Sequence, residues 1–212
     1  MRVMVFGDSI THGLWDLHGG WTQRLRTHYD RQTLQQFGPI QEYPDIYNLG
    51  ISGDIAEGLA KRLSIEMSAR QLAELPMIVI AIGMNDTMIF KGVEANTPEM
   101  YKGELLQIIA SARQFTDKIL FVGLTAVDDA VCNPWSYAPA DVCFNNARIW
   151  KFETTLREFC RAEGLPIVPV FETFKQTLKY KKLLADGLHP NESGHQLIAD
   201  LVQPALDELR LS

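Results

Sequence analysis

Short apolar runs alternate along this chain with longer stretches in which apolar residues recur at helical spacing. The short runs contain β-branched residues and often end in glycine or a polar residue, as buried parallel strands do. In one of the longer stretches, Leu105, Ile108 and Ile109 fall on one helical face. The pattern predicts strands over Arg2–Phe6, Asp45–Asn48, Met77–Ile82, Lys118–Val122 and Pro166–Pro169. It predicts helices over Trp21–Gln36, Asp54–Ala73, Pro98–Phe115, Phe144–Glu163 and Asn191–Leu209.

This alternation predicts a single α/β domain over residues 1–212, with helices on both faces of a parallel sheet. The last helix is expected to be interrupted or bent at Pro204, because proline lacks a backbone N–H. Residues Thr125–Val142 depart from the regular spacing and predict a long loop after the fourth strand. A loop of this length suits a wall or lid over a pocket, although a surface loop without a role fits the same pattern.

Composition and charge narrow the range of partners. The 212 residues are 46% hydrophobic and 22% charged, with a formal net charge of −6. These values are ordinary for a globular protein and disfavour a broad electrostatic surface for nucleic acid. No apolar run approaches the roughly 18 residues of a membrane-spanning helix. We therefore expect neither a nucleic-acid partner nor a membrane span, while a homo-oligomer is compatible with the sequence.

The N-terminus and the cysteines bear on the cellular compartment. The chain reaches Gly7 too early for a secretory signal, so a cytoplasmic location is expected unless a signal has been removed. Cys132, Cys143 and Cys160 form no Cys-x-x-Cys pair and have no metal-ligand spacing. Reduced structural thiols are expected, although Cys132 and Cys143 lie close enough in sequence to pair in an oxidising compartment.

Four segments that are polar or rich in glycine lie at predicted strand ends or just before the last helix. Open α/β sheets bind ligands beyond the carboxyl ends of their strands, so these segments should meet at one cleft. Taken alone, Ser9 in the first segment fits ordinary turn chemistry as well as it fits a nucleophile. Ser52 in the second segment is a rival nucleophile that fits a helix cap better. The four segments are Gly7–Ile10, Tyr47–Asp54, Ile80–Asp86 and Asp186–Asn191.

Together these segments would supply each part of an acyl-transfer site. A serine hydroxyl needs a base within hydrogen-bond distance and a third group that orients the base. His189 is the best base for Ser9, and Asp186 lies close enough in sequence to hold its other ring nitrogen. The tetrahedral oxyanion then needs donors, which the N–H groups of Ser9 and Gly50 and the side chain of Asn85 can offer.

Other polar and aromatic residues have competing interpretations. Asp8 and Asp86 suit turn bracing better than catalysis. Asp8, Trp135 and Tyr137 are candidates for the substrate pocket. Trp15, Trp135 and Tyr137 would offer an apolar or sugar-stacking surface, although packing in the core or in a loop fits them equally well.

Gly7-Asp8-Ser9-Ile10 and the three later segments resemble the four sequence blocks of the SGNH hydrolases, also called GDSL esterases or lipases. The blocks occur in the family's order between residues 7 and 190, with Ile10 in place of the usual leucine. The resemblance implies a three-layer α/β/α sandwich around a five-stranded parallel sheet, in the flavodoxin-like SGNH hydrolase fold, and no metal or organic cofactor. The later blocks are Gly50 in Asn-Leu-Gly-Ile-Ser-Gly-Asp, Gly83-Met84-Asn85-Asp86 and Asp186-Gly187-Leu188-His189-Pro190.

Carried over to these positions, the resemblance implies that Ser9 is the nucleophile, His189 the base and Asp186 the residue that orients the base. It also implies that the Ser9 and Gly50 amides and the Asn85 side chain form the oxyanion hole. The expected function is serine ester hydrolysis through an acyl-enzyme, with a short-chain acyl or acetyl ester as the small-molecule partner. The alternative substrates are O-acetylated carbohydrates, lysophospholipids and thioesters, cleaved by the same mechanism.

Two other function classes stay open. A metal-dependent phosphoesterase would use Asp8, Asn85, Asp86 and His189 as ligands. The chain lacks the early Asp-x-His and the second clear ligand histidine that a two-metal site needs. A catalytically silent member would bind an ester or a carbohydrate without cleaving it, which the complete set of serine, histidine and aspartate argues against.

Overall fold

The computed structural model describes residues 1–35, 43–70, 74–138 and 141–211, which include two β-sheets. The strands are β1 (Arg2–Gly7), β2 (Asp45–Gly50), β3 (Met77–Ala81), β4 (Ile89–Phe90), β5 (Val93–Glu94), β6 (Ile119–Val122), β7 (Val142–Cys143) and β8 (Ile167–Val168). The main sheet is parallel throughout, with the strand order β2-β1-β3-β6-β8. The second sheet is small and antiparallel, with the order β5-β4-β7.

Helices cover both faces of the main sheet. They are α1 (Ser9–His12), α2 (Gly20–Leu34), α3 (Ala56–Ala69), α4 (Pro98–Ala112), α5 (Asp129–Cys132), α6 (Asn146–Glu163), α7 (Val170–Gln176) and α8 (Glu192–Leu211), with 3-10 turns at Asn85–Thr87 and Tyr180–Leu183. Helices α2 and α8 pack together on one face, while α3, α4 and α6 pack as a layer on the other. This arrangement follows from right-handed crossovers that leave β1 in both directions.

The carboxyl ends of β1, β2 and β3 lie level with one another. Gly7 at the end of β1 pairs with Gly50 on β2 and with Ala81 on β3. Residues Val3–Phe6 are at most 1% exposed, since helices cover both faces of this central strand. The segments that follow the three strands therefore emerge side by side at one edge of the sheet.

The predicted α/β fold with its five-stranded parallel sheet is confirmed, and the strand boundaries shift by a few residues. Strands β1 and β2 extend to Gly7 and Gly50, because these residues pair with each other across the sheet. Strand β8 is shorter than predicted, because Pro166 and Pro169 flank it and cannot donate to a ladder hydrogen bond.

The helices differ from the prediction mainly at their ends. Helix α3 begins at Ala56 rather than at Asp54, and the Asp86 carboxylate accepts its first N–H at 3.1 Å. A buried carboxylate at this position also interacts favourably with the helix dipole. The predicted helix ends at Gln36 and Ala73 lie outside the described residues.

Helix α8 runs unbroken through Pro204, so the predicted interruption is wrong, while the alternative of a bend stays a prediction. Proline removes one hydrogen bond from a helix and crowds the preceding turn. The apolar face of α8 buries Ile198, Val202 and Leu206. Burial of this face stabilises the helix by more than the proline costs it.

The Thr125–Val142 segment contains more secondary structure than a loop. It includes α5 and the first residue of β7, while residues 139 and 140 lie outside the described ranges. Strand β4 pairs with both β5 and β7, so a hairpin holds the end of this segment. Lys91 and Gly92 form the hairpin turn, both with positive φ, as two-residue turns often require. Strands of two residues carry no periodicity, so the hydrophobic pattern did not predict them.

The three cysteines carry free thiols, as the sequence predicts. Burial raises the pKa of the Cys132 and Cys160 thiols to about 12, so both stay protonated near neutral pH. Within the described ranges, no helix combines the length and the apolar character needed to cross a membrane.

Candidate active site

Ser9 is held at the carboxyl edge of the main sheet by a sharp turn from β1 into α1. Gly7 ends the strand where a side chain has no room, because a Cβ there would lie 2.1 Å from Thr11 Oγ1. Asp8 caps α1, and its Oδ1 accepts a 2.9 Å hydrogen bond from the Ile10 N–H. These contacts fix Ser9 as the first residue of the helix, where it is 7% exposed.

His189 and Asp186 form a second turn that faces Ser9. Asp186 Oδ1 accepts the backbone N–H groups of Leu188 at 3.0 Å and of His189 at 2.8 Å. Gly187 between them has a φ of +85°, which glycine adopts without strain. Asp186 Oδ2 lies 2.8 Å from His189 Nδ1, and His189 Nε2 lies 3.0 Å from Ser9 Oγ. The structure thus brings the three predicted residues into one hydrogen-bonded chain.

The charge of Asp186 follows from its hydrogen bonds. Burial acts to raise the pKa of this carboxyl group, but hydrogen bonds from His189 and Leu188 and the charge of His189 hold it below its ordinary value. The carboxylate is therefore ionised near neutral pH and accepts a hydrogen from His189 Nδ1. This tautomer, assigned from the hydrogen-bond network, leaves Nε2 as the acceptor that faces the Ser9 hydroxyl.

Asn85 and Gly50, the other predicted oxyanion donors, differ in what their N–H groups bind. Asn85 begins the 3-10 turn after β3, and its Nδ2 donates a 2.9 Å hydrogen bond to the Asp54 carbonyl oxygen. An amide nitrogen carries two hydrogens, so one is left for a ligand. The Gly50 N–H instead donates to Asn48 Oδ1 at 3.0 Å, which uses its single hydrogen. The structure therefore does not present Gly50 as a free donor.

Gly50 has a packing role, and the turn after it exposes a second glycine. A Cβ at Gly50 would lie 2.4 Å from the His12 backbone nitrogen, so β2 approaches α1 closely only because this residue is glycine. Gly53 has a φ of +83° and no atom within 4 Å of the place where its Cβ would lie. It directly precedes Asp54, whose carbonyl binds Asn85. The sequence motif contains both glycines, and only this geometry distinguishes them.

Asp86 is completely buried and braces a turn, as the sequence predicts. Its carboxylate accepts the Ala56 N–H at 3.1 Å and the Asn96 Nδ2 hydrogen at 2.8 Å. Burial raises the pKa of Asp86 to about 6, although these hydrogen bonds act to lower it. The contacts tie the start of α3 to the turn that carries Asn85.

Asp8 also braces a turn, and it is 3% exposed. Burial raises its pKa to about 7, opposed by the hydrogen bond from the Ile10 N–H. Together with Thr11 and Thr125 it lines a small cavity between α1 and the ends of β3 and β6. The assignment of Asp8 to the substrate pocket stays a prediction. Across the described part of the chain, no three histidines, cysteines or acidic residues are grouped to hold a metal ion.

Two indole rings contact the Asp186–His189 turn from separate loops. Trp135 Nε1 donates to the Asp186 carbonyl oxygen at 3.1 Å, and its ring centroid lies 5.7 Å from that of His189. Trp15 Nε1 donates to Asp186 Oδ2 at 2.9 Å. Tyr137 is 67% exposed, and no hydrogen bond joins it to the described residues of this turn. The sequence left Trp15 open as a stacking surface or a packing residue and did not predict this contact, because no local pattern reports a contact between residues 171 positions apart.

The Thr125–Val142 segment packs against the same turn. The Asp128 N–H donates to the Gly187 carbonyl oxygen at 2.8 Å. Farther along, the Asn146 side chain accepts the Val127 N–H at 3.0 Å and donates to the Val127 carbonyl at 2.8 Å. These bonds hold the segment beside His189, which supports its interpretation as a wall.

Comparisons with known proteins agree with this fold. Residues 5–197 match the sequence model of the GDSL-like lipase/acylhydrolase family, while no curated protein matches the chain significantly. A lipase/acylhydrolase from Enterococcus faecalis superposes with a TM-score of 0.77, at 22% identity over 98% of this chain and 96% of that chain. The acetyl xylan esterase AlAXEase gives a TM-score of 0.73, at 18% identity over 97% and 99%. A catalytic mutant of Axe2, an acetylxylan esterase from Geobacillus stearothermophilus, gives 0.72, at 15% identity over 97% and 93%.

The structural neighbours and the family match support different statements. The TM-scores of 0.72 to 0.77 show that the fold is shared, and at identities of 15% to 22% they show the fold alone. The family match rests on the sequence itself, and its range contains the Ser9 turn, the Asn85 turn and the Asp186–His189 turn. Since this match spans most of the chain, the protein belongs to the GDSL-like lipase/acylhydrolase family.

Proposed function

We propose that this protein is a serine ester hydrolase that cleaves carboxylic esters through an acyl-enzyme on Ser9. The observation that carries the proposal is a chain of two hydrogen bonds, 3.0 Å from Ser9 Oγ to His189 Nε2 and 2.8 Å from His189 Nδ1 to Asp186 Oδ2. A nucleophile, a base and a group that orients the base are what acyl transfer requires. Membership of an acylhydrolase family supports the same chemistry.

The proposed reaction has two halves. In the first, Ser9 Oγ attacks the ester carbonyl carbon while His189 Nε2 takes the hydroxyl proton, and His189 then gives that proton to the leaving alcohol. In the second, His189 takes a proton from water as the water oxygen attacks the acyl carbon, and it returns the proton to Ser9 as the acid leaves. The Asp186 carboxylate orients the imidazole and stabilises the imidazolium formed in each half.

Three N–H groups are proposed to bind the oxyanion, namely the Ser9 amide, the Gly53 amide and the second hydrogen on Asn85 Nδ2. The Ser9 N–H has no partner within its helix, because Ser9 is the first residue of α1. Gly53 takes the role expected for Gly50, because Asn48 already binds the Gly50 N–H. Gly53 also lies next to the backbone carbonyl that fixes Asn85.

A short acyl group, acetyl above all, is the proposed acyl part of the substrate. A long acyl chain needs an extended apolar cover, such as a lid that can open. The Thr125–Val142 segment is instead bonded to the Asp186–His189 turn through Asp128 and Gly187. A fixed wall beside His189 favours a small acyl group over a long one.

An O-acetylated carbohydrate is the second candidate substrate, and one observation favours it. The Trp135 ring lies 5.7 Å from the His189 ring, centroid to centroid, and offers the amphipathic surface on which a sugar ring can pack. Two of the structural neighbours are named as acetylxylan esterases. In this case the leaving alcohol would be a sugar hydroxyl and the mechanism on Ser9 would be unchanged.

The first test is hydrolysis of p-nitrophenyl acetate by the protein and by Ser9→Ala. Loss of the nucleophile should lower kcat by at least about 10⁴-fold, with the thermal unfolding curve preserved. Ser52→Ala is the matched control, since Ser52 is the rival nucleophile, and it should keep near-normal activity. Near-normal hydrolysis by Ser9→Ala would overturn the proposal.

A substrate screen then separates the candidates. With p-nitrophenyl esters from acetyl to palmitoyl, kcat/KM should be highest for the shortest chains. A maximum at long chains would contradict the short-acyl proposal and favour a lysophospholipid or a long-chain thioester. Release of acetate from acetylated xylo-oligosaccharides with a kcat/KM above that for p-nitrophenyl acetate would identify the carbohydrate candidate.

A further inference from the structure

The Asp186 carboxylate accepts four hydrogen bonds from described residues, and one of them comes from a distant loop. The backbone N–H groups of Leu188 and His189 bind Oδ1. His189 Nδ1 lies 2.8 Å from Oδ2, and Trp15 Nε1 lies 2.9 Å from the same atom. Trp15 and His189 therefore share the negative charge of a single oxygen.

The backbone holds Trp15 in this position against its own preference. Its φ of +67° falls in the left-handed region, which a bulky residue adopts only where surrounding contacts impose it. On the N-terminal side, the Leu14 N–H donates to the Ser9 carbonyl at 3.0 Å. The Leu14 carbonyl oxygen lies 3.3 Å from Nε2 of the buried His195. The residue before Trp15 is thus fixed to both α1 and α8.

Asp16 fixes the chain on the other side of Trp15. Its buried carboxylate accepts the N–H of His18 at 3.0 Å and the N–H of Gly20 at 3.1 Å. It also forms an ion pair with Arg24, whose Nη2 lies 3.0 Å from Oδ2. Trp15 is therefore held between two anchored residues, Leu14 and Asp16, and its indole N–H is directed at the Asp186 carboxylate.

We propose that Trp15 is a positioning residue of the active site, a role that rests on the proposed ester hydrolase function. Its indole N–H disperses part of the charge on Asp186 Oδ2, because a hydrogen bond to a carboxylate stabilises the anion. The carboxylate then attracts a positive charge on the His189 ring less strongly, so the pH dependence of hydrolysis reports whether the indole N–H acts on the Asp186–His189 pair.

The ring of Trp15 and its indole N–H would affect the reaction in different ways. The residue is 59% exposed, so a face of the ring is open to a substrate while the N–H is used on Asp186. A wall residue would act through the ring and would change KM. A positioning residue would act through the N–H and would change the pH dependence of the reaction.

Trp15→Phe tests this distinction, because phenylalanine keeps a large ring and lacks the donor. We would measure kcat/KM for p-nitrophenyl acetate across the acidic and neutral range for the wild type, Trp15→Phe and Trp15→Ala. In Trp15→Phe the acidic limb of the profile should move to higher pH by roughly half a unit, with the plateau within about threefold of wild type. Trp15→Ala should show the same displacement together with a higher KM, because the exposed ring is also lost.

Trp150→Phe is the matched control. Trp150 lies on α6, is 42% exposed and packs against Phe171. Its variant should reproduce the wild-type profile. Thermal unfolding of each variant would establish that the protein compared is folded.

An acidic limb in Trp15→Phe that stays in place or moves to lower pH would overturn the proposal. A uniform loss of activity at every pH, without displacement of the acidic limb, would overturn it as well. Trp15 would then act only as a pocket-wall residue whose ring contacts the substrate. The proposed function fails by a different result, namely activity that survives Ser9→Ala. The two failures can therefore be told apart with the same substrate.

Discussion

Two turns at the carboxyl edge of the sheet carry aspartates whose pKa values are shifted in opposite directions. Asp8 lies before Ser9 and is 3% exposed; the Ile10 N–H is its one hydrogen-bond donor among the described residues, and burial raises its pKa to about 7. Asp186 lies before His189 and is 6% exposed, yet it accepts four hydrogen bonds and its pKa is lowered. Similar burial is thus accompanied by pKa shifts in opposite directions. Hydrogen bonds offset the loss of hydration for Asp186 and do not for Asp8.

The difference fits the parts that these residues take in the proposed reaction. Beside Ser9, a carboxyl group with a raised pKa braces the start of the helix and places less negative charge next to the forming oxyanion than an ordinary aspartate would. Beside His189, a charged carboxylate stabilises the imidazolium. In the turn that follows β3, neighbouring residues divide the two tasks. Asp86 is buried and braces the turn, while Asn85 presents its amide.

Asp186→Asn tests the difference between the two aspartates most directly, because it removes the charge of Asp186 and keeps the size of the side chain. We expect kcat to fall by about 10⁴-fold, since an amide does not hold the required histidine tautomer or stabilise the imidazolium. Steady-state hydrolysis of p-nitrophenyl acetate measures the effect, and circular dichroism checks the fold. A loss of less than about tenfold would contradict the role assigned to Asp186.

Substitutions at Asn85 and Asp86 should have intermediate effects, one on activity and the other on stability. Asn85→Ala should lower kcat by about 10²- to 10³-fold, the usual cost of one oxyanion donor, with little change in the free energy of unfolding. Asp86→Ala should instead lower the free energy of unfolding by about 2 kcal/mol, because the Ala56 N–H and the Asn96 amide lose their acceptor. Kinetics and urea unfolding of both variants give the two numbers. If Asn85→Ala lost stability and kept its kcat, the division of tasks would be wrong.

Much of the fold could be predicted because central parallel strands leave a strong signal. Val3–Phe6 and Ile78–Ile80 are uninterrupted apolar runs, and the structure shows each of them buried on both faces. The small sheet could not be predicted, because Ile89 pairs with Cys143 more than fifty positions away and each strand has two residues. Continuity of α8 through Pro204 depends on tertiary packing, which local propensity does not report.

The candidate site likewise contains residues that the sequence could predict and contacts that it could not. Ser9, Asp186 and His189 could be predicted together, since each follows or forms a turn with its own sequence motif. The choice between Gly50 and Gly53 could not, because it depends on a hydrogen bond from the Asn48 side chain. The Trp15 contact belongs to the same class, since it joins two turns that only the folded chain brings together.

The smallest effect on activity, within about threefold, is expected for Asp8→Asn. This variant tests the raised pKa of Asp8. A folded-state pKa of about 7, against an ordinary 3.8, means that native Asp8 binds a proton more tightly than the unfolded chain does. Its contribution to stability is therefore complete below about pH 4 and is lost as the pH rises through about 7. Asparagine keeps an oxygen acceptor for the Ile10 N–H but cannot ionise. The free energy of unfolding of Asp8→Asn, relative to wild type, should rise by about 3 kcal/mol between pH 5 and pH 8.

Urea unfolding at the two pH values measures this change. Asp200→Asn, on the exposed side of α8, is the matched control and should leave the pH dependence as in the wild type. Asp86 titrates in the same range and its charge raises the pKa of Asp8, so the measured difference includes the coupling between these two carboxyl groups. Equal pH dependence in the wild type and in Asp8→Asn would mean that the Asp8 carboxylate is ionised and well bonded, as that of Asp186 is. The two turns would then differ in geometry alone.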